Sequence, residues 1–291
     1  SQPAAQATPA PESSGGSSAA GDTINVTMNG SQQTLDLVTC LAMIAQNELG
    51  PGAPAEAYKA QCVAAHCWII SQGGYPSVAG TTPGDAALSA AQEVAHVLVT
   101  YGGNVCFTPY FASASTGTAS AADVWGSDRA WLQAVDSPYD QSTASHWNTN
   151  GATSGTARFS RATLQQRIQD VLGIDLSGVD PNSWFKILSA NQYGWVSQMQ
   201  IGPDSGPNTT CRGSWFRETL LAGQSVDGRS LRSQCFTVSY DSASDCFIFD
   251  VYGYGHGVGM SQWGAVGYAN NGWSYQLILQ HYYPGTSLTT Y

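Results

Sequence analysis

A glycine-rich segment near the end of the chain is the densest concentration of residues that could do chemistry. Positions 253–265 read GYGHGVGMSQWGA, with five glycines, one histidine, one serine and two aromatic rings. Glycine can adopt positive φ and has no Cβ to block a close neighbour. The segment therefore predicts a tight loop that could line a groove for a ligand such as a sugar.

A glutamate is the candidate acid. The chain has five: Glu12, Glu48, Glu56, Glu93 and Glu218. Glu12 lies in a segment of linker composition, and Glu56 falls in a predicted first helical turn, where a carboxylate complements the helix dipole. Glu93 and Glu218 are most simply solvated charges. Glu48, next to apolar residues at a predicted helix end, remains as the candidate for acid and base chemistry.

Two other chemistries are weaker. Ser261 is not predicted to be a nucleophile, because its surroundings lack the second glycine of a nucleophile elbow and a strand-to-helix pattern. Cys62 and His66, four residues apart, with Cys40 and Cys67 nearby, make a zinc site geometrically conceivable. Because no CxxC or HxxxH pair supports that site, neither a metal nor any other cofactor is predicted.

Three sequence blocks resemble the stage II sporulation protein D family, also called SpoIID/LytB. The C-terminal signature is GHGVGMSQWGA at 255–265, continued by matches at 267–269, 272–276, 278–279 and 281–286. The segment at 47–49 and EAYKAQCVAA at 56–65 form the second block, and 110–117, 124–126 and 135–140 form the third. The resemblance covers nearly all of the chain after position 21, and 143–210 is its least distinctive part.

The resemblance implies a peptidoglycan lytic transglycosylase with Glu48 at the position of the catalytic acid. Such an enzyme cleaves the bond between N-acetylmuramic acid and N-acetylglucosamine without water and leaves a 1,6-anhydro end. Because the C6 hydroxyl of the sugar closes the ring, one carboxyl group can act first as acid and then as base. Some family members carry a His/Cys zinc cluster in the central block, but 112–122 here contains neither residue type.

Eight further residues are substrate-binding candidates. Lys59 and His66 lie seven residues apart on one helix face, predicted to turn toward Glu48; the family usually has Lys and Arg there, so His66 departs from the pattern. His256 matches the glycine-flanked family histidine and could contact sugar hydroxyls or support its loop. The remaining candidates are Tyr254, Ser261, Gln262, Trp263 and Trp125.

Two rival functions remain open. One is a non-catalytic wall-binding module that stimulates an amidase. The other is a glycoside hydrolase with Asp123, Asp136 or Asp140 as its second carboxylate. A carboxyl separation from Glu48 of about 5 to 5.5 Å would favour retention, and one of about 6.5 to 9.5 Å inversion. For the lytic transglycosylase, the resemblance implies peptide-stripped glycan strands as the substrate and a cell-wall amidase as the partner, in sporulation-linked wall remodelling.

The order of elements predicts an α+β fold, with mixed helices and antiparallel strands around a substrate groove. Strands are expected at 23–28, 97–101, 105–113, 185–188, 195–201, 235–240 and 246–252. Helices are expected from 37 to the stop at 50–52, and at 54–71, 85–94, 160–172 and 275–279.

Composition narrows the class of protein. Charged residues make up 10% of the chain and the net charge is -10, with no Lys/Arg cluster, which argues against nucleic acid as a partner. Positions 1–21, rich in Ala, Pro, Ser and Gly, predict a disordered linker before one catalytic domain at 22–291. We expect an extracytoplasmic monomer, secreted or tethered to the membrane only through a removed N-terminal anchor.

Seven cysteines form an odd set, so at least one is unpaired unless it pairs between chains. For the last three, Cys211, Cys235 and Cys246, the sequence leaves a disulfide and free buried thiols equally open.

Overall fold

A computed structural model of the chain describes residues 22–144, 156–224 and 231–291. The predicted linker at 1–21 lies outside these ranges. Helices and small sheets alternate along the chain without regular repetition. The predicted α+β class is confirmed.

The strands are β1 (Thr23–Met28), β2 (Ser31–Asp36), β3 (Val97–Tyr101), β4 (Asn104–Val105), β5 (Tyr110–Phe111), β6 (Thr156–Ser160), β7 (Phe185–Ala190), β8 (Val196–Ile201), β9 (Thr209–Cys211), β10 (Phe236–Asp241), β11 (Cys246–Val251), β12 (Met260–Ser261) and β13 (Ser287–Thr290). The helices are α1 (Leu37–Leu49), α2 (Ala55–Gln72), α3 (Asp85–Val94), α4 (Ala121–Trp125), α5 (Asp140–Thr143), α6 (Arg161–Leu172), α7 (Gly213–Trp215), α8 (Gln262–Asn270) and α9 (Tyr275–Tyr282). A π-helical turn, Phe216–Leu220, continues α7.

Helix α2 is the centre of a helical layer formed with α1, α3, α8 and α9. Its small residues, mostly alanines, are buried on nearly every side, as expected for a helix that is apolar all round. Helix α1 begins at Asp36, whose carboxylate accepts the Thr39 N–H at 2.8 Å, and it ends at Gly50, which has a φ of +75°. These two caps determine where the last turn of α1 lies.

Five small sheets surround the helices. They are β1-β2, β10-β11-β6, β12-β5, β13-β3-β4 and β7-β8-β9. All pairings among them are antiparallel except β5 with β12, where Tyr110 lies opposite Met260 and Phe111 opposite Ser261. This parallel pair joins the central sequence block to the C-terminal signature.

The expected long strand over 105–113 is wrong. Only Asn104 and Val105 pair with β3, and the chain then leaves that sheet before Tyr110 and Phe111 pair with β12. Pro109 donates no backbone hydrogen bond, and its carbonyl instead accepts bonds from the Met260 N–H and the Tyr283 hydroxyl. The antiparallel β3-β4 hairpin forms with a short second strand, and the rest of the expected strand links two sheets.

Two hydrophobic clusters form the core. The first contains α1, α2, α3 and the C-terminal helices, together with Trp195, Cys235 and Val258. The second is built entirely from residues between Ala157 and Val251. The second cluster, with its sheets and α6, is called the inserted unit below, because it lies between the two sequence segments that form β5 and β12.

All seven cysteines lie within the described ranges and are free thiols, six of them buried. The disulfide alternative for the last three is therefore not realised. Of the helices described, none is both long and apolar enough to span a membrane.

Candidate functional site

A cleft of about 430 Å³ lies where α1, α2, α4 and the glycine-rich loop meet. Its walls are mostly aromatic and aliphatic, as is usual for a small-ligand site, with a few polar groups among them. The lining residues are Ile44, Glu48, Trp68, Ser77, Val78, Ala79, Phe107, Pro109, Tyr110, Trp125 and His256. Three sequence-predicted residues, Glu48, Trp125 and His256, meet here.

Glu48 stands in the last turn of α1 with its side chain exposed at the cleft. The Gln262 side-chain N–H donates to Glu48 Oε2 at 2.7 Å, which joins the predicted acid to the C-terminal signature. Within the part of the chain that the structure describes, Glu48 is the single carboxylate that lines this cleft. A carboxamide carries both a donor and an acceptor, so Gln262 can pair with either protonation state of the acid.

Gln262 owes its position to a buried network at the start of α8. Ser261 caps the helix by accepting the Gly264 N–H at 3.1 Å, and its hydroxyl donates to Asp140 Oδ1 at 2.5 Å. Asp140 also accepts the Ala114 N–H at 2.7 Å and the Ser137 hydroxyl at 2.5 Å. Burial raises the pKa of Asp140 to about 6. Ser261, a predicted sugar contact, is thus an internal anchor.

Trp125 ends α4 and presents an apolar face to the cleft. Its ring is 39% exposed and lies 5.4 Å from the His256 ring and 6.0 Å from the Phe107 ring. Because a pyranose has an apolar face of similar size, an exposed tryptophan that packs against other rings is a suitable stacking surface for a sugar.

His256 forms the wall beside Trp125. Its Nδ1 accepts the Val258 N–H at 3.1 Å, so the neutral ring carries its proton on Nε2. Burial, followed by the positive charge of Arg217, lowers the pKa of His256 to about 4. The imidazole is therefore uncharged at neutral pH.

The glycine-rich loop forms as the sequence predicts, with positive φ at Gly253, Gly255, Gly257 and Gly259. The close neighbours, however, belong to the protein itself. A Cβ on these glycines would lie 2.6 Å from the Ser113 carbonyl oxygen, 2.7 Å from the Phe111 Cβ, 2.5 Å from the Trp195 ring and 2.1 Å from the Pro109 carbonyl oxygen, respectively. The glycines let the loop pack against the central block and so hold His256 in place.

Lys59 and His66 do not line this cleft. The Lys59 ammonium bridges Glu56 at 2.9 Å and Glu93 at 2.6 Å, so it ties α2 to α3. His66 is buried at a second cleft lined by β1 and Tyr291. The expected common face toward Glu48 does not form, because Lys59 is held by Glu56 and Glu93, and the His66 ring lies 6.1 Å from the Tyr291 ring at the second cleft.

Tyr254 and Trp263 also lie outside the set of lining residues. The Tyr254 ring is exposed and sits 5.0 Å from the Arg232 guanidinium. Trp263 is half-buried against the first hydrophobic cluster, and its backbone N–H donates to the Ala112 carbonyl at 3.0 Å.

Three aromatic residues of the cleft were not predicted: Trp68, Phe107 and Tyr110. Burial, with the negative charge of Glu48, raises the pKa of Tyr110. The only sequence signal for these three residues was the position of Tyr110 at the start of the central block. An aromatic side chain on its own predicts a core residue.

The carboxylates proposed for a hydrolase have other surroundings. Asp140 is fully buried, Asp123 completes the capping box of α4, and Asp136 is exposed beside His281. None of the three lines the cleft with Glu48. Within the described ranges there is likewise no group of three or more His, Cys, Asp or Glu side chains placed to hold a metal.

The structure thus defines an α+β protein whose aromatic cleft holds one glutamate supplied by a helix end. The chain is 25% identical over 284 residues to the "Amidase enhancer" of Bacillus subtilis (strain 168), covering 84% of this chain and 39% of that protein. It is 25% identical over 196 residues to "Stage II sporulation protein D" of the same strain, and 26% identical over 196 residues to the protein of that name from Bacillus amyloliquefaciens.

The two sporulation proteins are matched over 66% of this chain and over 48% and 47% of their own lengths. The chain therefore spans less than half the length of each of these curated relatives. No protein-family model matches it. The relatives support a SpoIID-like family assignment, in agreement with the resemblance of the three sequence blocks.

Proposed function

We propose that the protein is a peptidoglycan lytic transglycosylase in which Glu48 is the acid and the base. The names of the relatives support a sporulation and cell-wall related role. The observation that carries the finer proposal is the environment of Glu48, a lone carboxylate in an aromatic cleft, bonded to Gln262 of the C-terminal signature.

The reaction needs only groups of the sugar and of Glu48. Protonated Glu48 donates its proton to the glycosidic oxygen as the bond from that oxygen to C1 of N-acetylmuramic acid breaks. The C6 hydroxyl oxygen of the same sugar then bonds to C1, and its proton passes to the Glu48 carboxylate. The products are a 1,6-anhydro end and a free hydroxyl on N-acetylglucosamine, and the acid returns to its protonated state without water.

The arrangement of the cleft supports this sequence of steps. Trp125 can stack on one sugar ring while neutral His256 offers an apolar edge. Gln262 holds one carboxylate oxygen and leaves the other for the substrate. A second carboxylate, which hydrolysis would require, is not among the lining residues.

The test is mass spectrometry of products from peptide-free glycan strands treated with the protein, with Glu48→Gln and with Gln262→Leu. We expect anhydro ends, one water lighter than hydrolysis products, from the unmodified protein. Glu48→Gln should abolish them, and Gln262→Leu should reduce kcat by about tenfold, or 1.4 kcal/mol. Glu93→Gln, which changes a glutamate outside the cleft, is the matched control.

Reducing ends in place of anhydro ends would reject the lytic mechanism and favour hydrolysis. Anhydro ends that persist with Glu48→Gln would reject the role of Glu48.

A second candidate is a non-catalytic module that binds wall glycan and stimulates an amidase. The name of one relative, "Amidase enhancer", favours it. In that case the aromatic cleft would still bind glycan and raise the rate of an added cell-wall amidase, but neither the protein nor its Glu48→Gln variant would cleave the strands.

Both candidates place the protein on the outer side of the cytoplasmic membrane, where peptidoglycan lies. Peptide-stripped glycan strands would be the ligand in both, and a cell-wall amidase the partner. Cell fractionation with an antibody to the protein tests this placement.

A further inference from the structure

Arg217 reaches from the inserted unit to the glycine-rich loop. It lies on the π-helical turn Phe216–Leu220, whose Phe216 and Leu220 are fully buried in the second hydrophobic cluster. Such turns are rare and occur often at functional sites. The Arg217 side chain points away from that cluster and is 16% exposed.

The guanidinium holds the backbone just before His256. Its Nη1 donates to the Gly255 carbonyl at 2.6 Å and to the Arg232 carbonyl at 3.2 Å, while Nη2 donates to Glu218 at 2.8 Å. The Gln234 amide, also from the inserted unit, donates to the carbonyl of His256 itself at 2.7 Å. The carbonyls of Gly255 and His256, which flank the His256 side chain, therefore both accept hydrogen bonds from the inserted unit.

The groups around the His256 imidazole determine its protonation state as well as its position. The Val258 N–H donates to Nδ1, and the ring also has a hydrogen bond to the Tyr110 backbone. The charged and titratable groups around this corner are Arg217 with Glu218 behind it, Glu48 and Tyr110 across the cleft, Tyr254 on the loop, and Arg232, whose guanidinium lies 5.0 Å from the Tyr254 ring. Arg217 is the cation whose charge lowers the pKa of His256, because a cation beside an imidazole disfavours the imidazolium.

We propose that Arg217 is a positioning residue of the cleft, through which the inserted unit holds His256 as a neutral wall with its proton on Nε2. A charged His256 would draw the Glu48 carboxylate into an ion pair and compete with the transfer of its proton. An arginine suits this position because its planar fork presents several donors in fixed directions, whereas lysine offers a flexible point charge.

The first test is NMR of the unmodified protein. Nitrogen-15 shifts of His256, assigned by comparison with His256→Asn, should show the Nε2-protonated neutral tautomer from pH 8 down to pH 5. Titration of His256 near pH 6.5, or an Nδ1-protonated ring, would overturn the proposal without any Arg217 variant.

The second test compares Arg217→Gln, Arg217→Lys and the control Arg158→Gln, which removes an arginine from the outer sheet of the same unit. Arg217→Gln should raise the pKa of His256 above its value of about 4, because the nearby positive charge is lost while the burial remains. Arg217→Lys should keep a low pKa yet broaden the His256 signals, because the fork is lost. Arg158→Gln should change neither property.

An unchanged His256 pKa in folded Arg217→Gln would reject the proposal. If that variant does not fold, an unchanged signal width in Arg217→Lys would reject it instead.

The inference rests on the proposed function only for its effect on catalysis. If glycan strands are cleaved, both Arg217 variants should lower kcat/KM about tenfold or more, as expected for misplaced cleft groups, while Arg158→Gln should not. If no glycan is cleaved, the proposed function fails, but the NMR outcomes still decide the role of Arg217.

Discussion

His66 lies on the buried side of α2 and is 4% exposed. Its Nδ1 is buried with no hydrogen-bond partner, and burial lowers the pKa of the ring to about 4. Between pH 6.5 and 4 the unfolded chain therefore binds more protons at this site than the folded chain does. The stability contributed by neutral His66 is therefore present above pH 6.5 and is lost as the pH falls toward 4.

We predict that His66→Leu flattens part of the acid dependence of stability. The free energy of unfolding of the unmodified protein should fall by about 2 kcal/mol more than that of His66→Leu between pH 7.5 and pH 5. Urea titrations at the two pH values measure the difference, in which contributions of distant titrating groups largely cancel. Equal losses in the two proteins would mean that His66 titrates normally in the fold.

At the level of single residues, the family motifs predicted which site residues lie together. Glu48, His256 and Gln262 come from two blocks of one family resemblance, and the structure brings them into contact or into one cleft. Lys59 matches the family pattern and His66 departs from it, but only helical spacing predicted that both side chains face Glu48. That spacing gives the common face of a helix but not its direction, which Glu93 on α3 decides for Lys59.

The glycine-rich loop and the β5-β12 pair are the elements that carry the site. Gly259 has a φ of +78°, and a Cβ there would lie 2.1 Å from the Pro109 carbonyl oxygen, a backbone atom with little freedom to move. Gly272 has a similar φ of +83°, but no atom lies within 4 Å of its Cβ position. Substitutions at the two glycines therefore distinguish the cost of a positive φ from the cost of steric overlap.

We predict that Gly272→Ala costs about 1 kcal/mol of stability and Gly259→Ala at least about 3 kcal/mol. The first variant has only the positive-φ penalty, while the second must also displace Pro109, a lining residue of the cleft. Thermal unfolding measures both costs. A Gly259→Ala variant no less stable than Gly272→Ala would show that the loop does not pack on Pro109 as the structure has it.

Element prediction succeeded where local signals exist. Helix α3 has the predicted bounds, and α6 begins at its Ser160 cap and ends before Gly173 as expected. The β5-β12 pair was missed because two-residue strands have no periodicity and the partners lie about 150 residues apart. Helix α8 was missed because its glycines, at positions 264 and 267, weaken a helical signal, although Ser261 provides an ordinary cap.

At the scale of the whole molecule, no sequence feature indicated two hydrophobic clusters. The polar stretch at 141–156, rich in Ser, Thr, Asn and Gly, precedes the inserted unit, but such a stretch predicts a loop and does not mark the boundary of a second cluster. The inserted unit is joined to the rest of the molecule by specific contacts, including Arg217 on Gly255 and the Ser214 hydroxyl on the Val124 carbonyl at 2.8 Å. Such long-range contacts depend on the packed structure and leave no local pattern in the chain.

If the protein binds wall glycan as proposed, its net charge acts against anionic strands. The chain carries ten more acidic than basic residues, and no Lys or Arg is among the described residues that line the cleft. Stem peptides carry carboxylates, and their removal frees the lactyl carboxylate of N-acetylmuramic acid, so the protein should repel both kinds of strand, whereas oligomers of N-acetylglucosamine are neutral. Repulsion of this range is screened when the Debye length falls from about 30 Å at 0.01 M salt to about 8 Å at 0.15 M.

We therefore predict different salt behaviour for peptide-free strands and for neutral oligomers of N-acetylglucosamine, measured by calorimetry with Glu48→Gln so that no strand is cleaved. The dissociation constant for peptide-free strands should fall about fivefold, or roughly 1 kcal/mol, over that increase in salt. The constant for the neutral oligomers should stay nearly constant, because stacking and neutral hydrogen bonds dominate there. Weaker binding of peptide-free strands at high salt would instead reveal a cationic surface that attracts the lactyl carboxylates, and would contradict repulsion by charge.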